Sequence, residues 1–259
     1  MLIKGIEDKI DAIFHDHKLV PDKSPHDFLA AARMQGDKMY STKCRNNNNQ
    51  ELFFKILIAH DDGYLATLKN EIIFSELFTR RTFHQFSTPI ITESEKEPYC
   101  WYLRELIPGD VVGDFESLGA NSASRISFCT RKALSALREM SRVRLGDAAD
   151  AGIEIPSLDF YLDQIAENEE WTKPYFPNFQ QEVVELFERH RSSLLDYLVM
   201  AHGDYHWGNL VFAKEQLYII DWAHIHWGNI AEDFVKIWLS LWQYPQLQKK
   251  AYESLMFIT

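Results

Sequence analysis

Apolar residues repeat at two different spacings along the chain. Met1–Phe14 carries isoleucines at helical intervals, which predicts a leading amphipathic helix. Short apolar runs then predict five strands, at Phe28–Met34, Tyr40–Cys44, Leu52–Ile58, Thr88–Ile91 and Tyr99–Leu106. Between them, Tyr64–Phe78 repeats at helical spacing after Asp61 and Asp62, which suit an N-terminal cap. The first part of the chain is therefore expected to be a small antiparallel sheet that carries one helix.

Polar turn residues separate these strands. Gly36–Lys38 and Asn46–Asn49 are predicted to form the turns on either side of Tyr40–Cys44, because Gly and Asn accept left-handed backbone conformations. Glu93–Pro98 is predicted to join the last two strands, and Pro108–Asp110 to end the second of them.

The remainder of the chain has mainly helical spacing. Apolar stripes predict helices at Ser122–Val143, Leu158–Asn168, Gln181–Val199 and Ile230–Trp242. One hairpin interrupts them, with strands at Leu210–Phe212 and Leu217–Ile220. The sequence therefore predicts an α+β protein whose N-terminal part, residues 1–107, and C-terminal part, residues 108–259, join near Leu106–Gly109.

Composition and charge narrow the class of protein. The chain has 259 residues, of which 46% are hydrophobic and 14% aromatic, enough to bury a core. A formal net charge of -11 argues against a nucleic-acid partner, since that affinity comes mostly from Lys and Arg. Three widely spaced cysteines favour a reducing cytoplasm, and the absence of a long uncharged apolar window predicts no membrane span.

The segment with the clearest chemistry begins at His202 and reads His-Gly-Asp-Tyr-His-Trp-Gly-Asn, ending at Asn209. The predicted hairpin follows, and Asp221 stands at its end. Phosphoryl transfer needs a carboxylate to orient the attacking hydroxyl and oxygen ligands for Mg²⁺. Asp204, Asn209 and Asp221 provide this set.

This segment resembles the catalytic loop and the metal-binding aspartate of the aminoglycoside phosphotransferase and choline kinase family, relatives of the protein kinases. The resemblance implies a protein-kinase-like two-lobe fold. It makes Asp204 the catalytic base, Asn209 and Asp221 the Mg²⁺ ligands, and His202 a brace for the loop. Asp233 matches a helix-start aspartate of the family that holds the loop.

The resemblance extends to the N-terminal part. Lys55 stands in a predicted strand where the family's phosphate-neutralising lysine lies, and Glu71 in the next helix would be its ion-pair partner, with Glu76 as the alternative. Arg104–Gly109 resembles the family's hinge between the lobes, where the Glu105 carbonyl and the Ile107 amide would bind the adenine edge of ATP through backbone atoms; GTP is the alternative co-substrate. The turn that would cover the phosphates lacks repeated glycines, and its candidate phosphate contacts are Lys38, Ser41 and Thr42.

Several other functions remain open. The histidines at 202, 206, 224 and 226 suggest a zinc site, although the glycines among them argue against a ligating helix. No G-x-x-x-x-G-K-[ST] or G-x-S-x-G motif is present. A catalytically silent nucleotide-binding module of the same fold and a metal-dependent phosphohydrolase are the competing hypotheses.

The acceptor is expected to be a small molecule with a hydroxyl group. The chain passes from Asp221 to the predicted helix at Ile230 without the long segment with which protein kinases hold a peptide. Leu145–Met200 has 12 Asp or Glu against 3 Lys or Arg, and it contains Trp171, Tyr175, Phe176 and Phe179. Such a surface suits a cationic acceptor, such as an amino-alcohol, aminoglycoside or sugar-like compound, but a solvated acidic helix would look the same. The oligomeric state stays open.

Overall fold

The computed structural model of the protein describes residues 2–113, 118, 121–143, 173–174, 177–190 and 198–255. The helices are α1 (Ile6–Asp16), α2 (Pro25–Gln35), α3 (Asp62–Arg80), α4 (Ala123–Met140), α5 (Phe179–His190), α6 (Ile230–Ser240) and α7 (Pro245–Leu255). The strands are β1 (Val20–Pro21), β2 (Met39–Arg45), β3 (Glu51–Leu57), β4 (Ile91–Glu95), β5 (Trp101–Glu105), β6 (Asp110–Val111), β7 (Val199–Ala201), β8 (Leu210–Ala213), β9 (Gln216–Ile219) and β10 (His226–Gly228).

The N-terminal part is built on a five-stranded antiparallel sheet with the order β1-β2-β3-β5-β4. Alternate residues of each strand face opposite sides. One side carries Tyr40, Phe54 and Ile56, which pack with the apolar faces of α1 and α2. The other side carries Lys55 and its cross-strand neighbour Tyr102, next to α3. This second side also carries Leu57, which packs with Leu68 and Ile72 of α3, so the sheet has an apolar layer on each face and Lys55 lies beside the second one.

Helix α2 corrects one sequence prediction, because Phe28–Met34 is helical rather than a strand. The Ser24 hydroxyl accepts a hydrogen bond from the Asp27 amide at 3.3 Å, Pro25 occupies the first turn, and Gly36 ends the helix in the left-handed conformation. These are ordinary helix start and stop signals, and they outweighed a short apolar run.

Two further predictions need adjustment, and a third is not tested. The strand predicted at Thr88–Ile91 begins at Ile91 and takes in part of the predicted turn at Glu93–Pro98. The helix predicted at Gln181–Val199 is described as far as His190, and Val199 belongs to β7, which pairs with β10. The helix predicted at Leu158–Asn168 lies outside the described residues.

The C-terminal part has a helical core with two small sheets beside it. Helices α4, α6 and α7 enclose apolar side chains that include Ala133, Leu137 and Ile237. Two buried aromatic residues of the loop after β7 are anchored in this core. The Tyr205 hydroxyl donates to the Ala133 carbonyl at 2.9 Å, and the Trp207 indole donates to the Ser240 hydroxyl at 2.5 Å.

The two parts contact each other through α3. The Phe74 ring stacks on Trp222 with centroids 3.5 Å apart, and the Asn70 amide donates to the Ala223 carbonyl at 3.1 Å. The predicted α+β two-lobe fold is confirmed, while the division at residue 107 stays a prediction. Among the described residues, no helix combines the length and the apolar character needed to cross a bilayer.

Candidate active site

The loop after β7 is fixed by a buried carboxylate at the start of α6. Asp233 accepts hydrogen bonds from the backbone amides of His202 at 2.6 Å and Gly203 at 2.9 Å. Burial raises the pKa of Asp233 to about 6. Gly203 has φ +79°, and a Cβ there would lie 2.2 Å from the His224 carbonyl oxygen. The chain can therefore turn here only with glycine.

His202 joins this loop to the end of the following hairpin. Its Nδ1 accepts a hydrogen bond from the Asp204 amide at 3.1 Å, so the proton lies on Nε2, which donates to the Ile220 carbonyl at 3.0 Å. Burial lowers the pKa of His202 to about 4, which keeps the ring neutral. The His202 imidazole thus links the backbone amide of Asp204 to the carbonyl of Ile220, the residue before Asp221.

The Asp204 carboxylate receives hydrogen bonds at both oxygens. The Lys236 ammonium donates to Oδ1 at 2.8 Å, and the Asn209 amide and His206 Nε2 each lie 3.2 Å from Oδ2. Burial alone would raise the pKa of Asp204, but the hydrogen bond and the charge of Lys236 bring it below its ordinary value. The carboxylate is therefore ionised and partly open to the cleft, as a general base requires.

Lys236 and His206 were not identified as parts of this site from the sequence. Lys236 lies on α6, three residues after Asp233, so the two share one face of the helix. That spacing is the signal that points to Lys236. His206 accepts a hydrogen bond from the Gly208 amide at Nδ1, which directs its Nε2 proton to Asp204.

Asn209 and Asp221 fit a site for a divalent cation. The Ile220 amide donates to the Asn209 carbonyl at 3.0 Å, which brings the two residues together. The Asn209 amide nitrogen bonds the carbonyl and the carboxylate of Asp204, so its amide oxygen is left for a cation. Asp221 has φ +61°, and its Oδ1 is buried without a hydrogen-bond donor among the described residues. Its nearest cation is the Lys55 ammonium at 3.6 Å, beyond hydrogen-bond distance, so the oxygen can also serve as a ligand of a divalent cation.

Lys55 and Glu71 form a buried ion pair above this pair of oxygen ligands. Their side chains are 13% and 8% exposed, and Lys55 Nζ lies 2.5 Å from Glu71 Oε1 and 3.6 Å from Asp221 Oδ1. The Tyr102 hydroxyl donates to the other Glu71 oxygen at 2.7 Å. Burial alone would lower the pKa of Lys55, but the two carboxylates raise it above its ordinary value, so a full positive charge faces the cleft.

Glu76, the alternative ion-pair partner predicted for Lys55, contacts a different lysine. Glu76 follows Glu71 by five residues on α3 and contacts Lys96 at 3.0 Å. Glu71 is therefore the residue of α3 that pairs with Lys55.

The candidate nucleotide contacts are only partly brought together. Ser41 pairs with Lys55 across β2 and β3 and lies on the same face of the sheet. Thr42 lies on the opposite face, where its buried hydroxyl accepts from the Lys23 amide and donates to the Lys43 carbonyl. The structure therefore does not bring Thr42 to the cleft. Lys38 is half-buried just before β2 and is held by its carbonyl, which accepts from the Ile58 amide.

The segment after β5 runs along the end of the cleft. The Glu105 amide donates to the Ile90 carbonyl, and the Glu105 carbonyl accepts from the Arg104 side chain at 3.1 Å. The Ile107 carbonyl accepts from the Gly109 amide. The two backbone groups predicted to bind the base, the Glu105 carbonyl and the Ile107 amide, thus lie on one short connection between the lobes.

The described part of the chain has no group of three or more His, Cys, Asp or Glu side chains that could hold a zinc ion. His226 donates instead to Glu232, and His202 is used in the loop. Of the predicted acceptor surface, Trp171, Tyr175 and Phe176 lie outside the described residues, and Phe179 is described only as the first residue of α5.

The sequence matches the model of one protein family. The profile of APH, the phosphotransferase enzyme family, matches residues 41–253. No curated protein matches the sequence.

Solved structures resemble the fold at low sequence identity. Macrolide 2'-phosphotransferase MphH from Brachybacterium faecium is 15% identical with a TM-score of 0.53, over 87% of this chain and 81% of that one. The streptomycin-ATP-APH(2")-IIa ternary complex is 13% identical with a TM-score of 0.53, over 90% and 87%. The GDP complex of wild-type aminoglycoside 2'-phosphotransferase-IIIa is 12% identical with a TM-score of 0.59, over 90% and 83%.

At these identities the structural likeness shows the fold, whereas the profile spans most of the chain and includes Lys55, Glu71, Asp204, Asn209 and Asp221. The chain belongs to the phosphotransferase enzyme family.

Proposed function

We propose that the protein is a small-molecule kinase that transfers the γ-phosphoryl group of ATP or GTP to a hydroxyl of an amino-alcohol, aminoglycoside or sugar-like acceptor. The observation that carries the proposal is the convergence of an ionised Asp204, an Asp221 oxygen that accepts no hydrogen bond, and the charged Lys55 on one cleft. A catalytic base, a cation ligand and a phosphate-neutralising charge are the parts that phosphoryl transfer needs.

In this proposal each residue has one task. Asp204 orients the acceptor hydroxyl and takes its proton, while Lys236 and His206 hold the carboxylate in place. Lys55, held by Glu71, neutralises the α- and β-phosphates. Asn209 and Asp221 would hold Mg²⁺, which supplies charge neutralisation across the phosphates when bound. His202 and Asp233 keep the loop in shape.

The acceptor class rests on weaker support. The acidic balance of Leu145–Met200, with 12 Asp or Glu against 3 Lys or Arg, favours a cationic compound. A solved neighbour binds streptomycin together with ATP, and another is a macrolide phosphotransferase. These suggest hydroxyl-bearing amines as the first acceptors to test.

The test is a product analysis with Mg²⁺ and both nucleotides against a panel of amino-alcohols, aminoglycosides, macrolides and sugars. A phosphorylated acceptor with nucleoside diphosphate supports the kinase, free phosphate alone identifies a phosphohydrolase, and binding without turnover identifies a silent module. Asp204→Asn should abolish turnover and keep nucleotide affinity, because the base contributes about 10²–10⁴-fold to the chemical step and does not bind the nucleotide. Loss of nucleotide binding in this variant would contradict the role of the base.

A further inference from the structure

An arginine lies at the inner end of the connection between the lobes. Arg104 is the fourth residue of β5 and immediately precedes Glu105. Its guanidinium carbon lies 4.4 Å from the centroid of the Phe53 ring, and its Nη1 donates to the Glu105 carbonyl at 3.1 Å. The side chain is half-buried, so the guanidinium is held flat against an aromatic face beside a backbone acceptor.

The position of Arg104 relative to the phosphate end of the cleft is set by strand register. Arg104 pairs with Phe53 and Tyr102 pairs with Lys55, so these four side chains share one face of the sheet. Phe53 is about 6.6 Å from Lys55 along β3, the rise of two residues. A nucleotide whose phosphates meet Lys55 and Asp221 therefore extends its base toward Phe53 and Arg104. Arg104 also lines one cavity together with Tyr102 and Asp221.

A guanidinium at this place distinguishes the two purines. Guanine presents two acceptors, O6 and N7, to which arginine donates a pair of hydrogen bonds. Adenine presents an amino group at the position of O6, so a donor of the protein would face a donor of the base. The Glu105 carbonyl, which an adenine amino group would use, already accepts one hydrogen bond from Arg104 and keeps one lone pair.

We propose that Arg104 makes the base site selective for guanine, so that GTP rather than ATP is the phosphoryl donor. This inference rests on the proposed function and specifies its nucleotide. Arg104 acts as a specificity residue, since it would contact the base and would take no part in the transfer of the phosphoryl group.

The test measures the affinity of the full chain for GDP, ADP and IDP with Mg²⁺ by calorimetry. IDP keeps O6 and N7 but lacks the 2-amino group of guanine, so it isolates the atoms assigned to Arg104. We expect GDP and IDP to bind about tenfold more tightly than ADP, within the range of a bidentate arginine contact. Equal or tighter binding of ADP overturns the selectivity, and IDP binding at the level of ADP overturns the role of Arg104.

Substitution of Arg104 provides a second test of the nucleotide selectivity. Arg104→Gln should weaken GDP and IDP binding about tenfold and strengthen ADP binding, because a glutamine amide pairs with N6 and N7 of adenine. The matched control is Arg45→Gln, which removes an exposed arginine at the end of β2 that contacts Glu51. An unchanged order of affinities in Arg104→Gln, with ADP binding retained as evidence of folding, contradicts the inference. Failure of the wild-type protein to bind any of the three nucleotides would overturn the proposed function as well.

Discussion

The Lys236 ammonium contacts the Asp204 carboxylate at 2.8 Å and the Gly203 carbonyl at 2.9 Å. A cation from α6 therefore bridges the side chain of the proposed base and the backbone just before it. The contact joins two residues 32 positions apart in sequence. It also explains why Asp204 is ionised despite its partial burial, since Lys236 opposes the effect of desolvation on its pKa.

Lys236→Met should lower kcat roughly ten- to a hundredfold, because a displaced base loses its alignment with the acceptor. Removal of the cation also raises the pKa of Asp204, so the acidic limb of the pH profile of kcat should move to higher pH. The measurement is kcat against pH at saturating nucleotide and acceptor. Lys236→Arg should retain much of the activity, and Lys249→Met, at an exposed position of α7, is the control. A lower kcat with an unmoved acidic limb would exclude an electrostatic effect of Lys236 on Asp204.

Two glutamates of α3 offer a matched comparison. Glu71→Gln should reduce kcat/KM for the nucleotide about tenfold or more, because it removes a hydrogen bond between charged groups that contributes about 1.5–3 kcal/mol. Glu76→Gln removes a surface contact with Lys96 on the same helix and should change kcat/KM less than about threefold. Steady-state kinetics with varied nucleotide measures both. Equal losses in the two variants would reject Glu71 as the partner that positions Lys55.

Asp221→Asn should raise the Mg²⁺ concentration needed for half-maximal nucleotide binding by at least about tenfold, because it removes the charge of an oxygen ligand. The measurement is a Mg²⁺ titration of nucleoside diphosphate affinity. Glu215→Gln is the control, since Glu215 is an exposed carboxylate on the turn of the same hairpin. The same metal dependence in Asp221→Asn and wild type would remove Asp221 from the cation site.

His202 predicts a dependence of stability on pH. The folded protein keeps the ring neutral down to about pH 4, whereas the unfolded chain takes up a proton near pH 6.5. The contribution of His202 to the free energy of unfolding is therefore complete above pH 6.5 and decreases as the pH falls toward 4, by roughly 3 kcal/mol in total.

The test compares urea unfolding of wild type and His202→Gln from pH 7.5 to 4.5. Gln can keep both hydrogen bonds but does not titrate, so the stability advantage of the wild type should narrow as the pH falls. The pKa of Asp233 is raised by burial to about 6, which favours the folded state on acidification, but this effect is present in both proteins and cancels in the difference. His15→Gln, at an exposed position of α1, is the control. A difference independent of pH would refute a buried neutral His202.

Local sequence signals predicted the elements that depend on neighbouring residues. The helix over Tyr64–Phe78 corresponds to α3, whose N-cap Asp61 accepts from the Tyr64 amide, and the hairpin around Ala213–Gln216 is present. The predicted strand at Phe28–Met34 failed because a single apolar run was considered without Ser24 and Gly36, which define a helix at this place.

The order of motifs along the chain predicted which residues meet across the cleft, but tertiary contacts decided the rest. Lys55, Glu71 and Asp221 are far apart in sequence and close in space, as the family pattern implied. Lys236 carries no motif, and its contact with Asp204 depends on how α6 packs; the side of the sheet on which Arg104 lies depends on strand register. The face on which Thr42 lies was equally set by register, since a shift of one residue reverses the side of the sheet.

The stack of Phe74 on Trp222 links α3, which carries Glu71, to the segment that carries Asp221. Phe74 follows Glu71 by one helical turn, and Trp222 directly follows Asp221. A tilt of α3 would therefore move Glu71 away from Lys55 and, through the ring stack, displace Asp221 as well. The position of α3 and the backbone that carries Asp221 are therefore coupled through one aromatic contact between the two lobes.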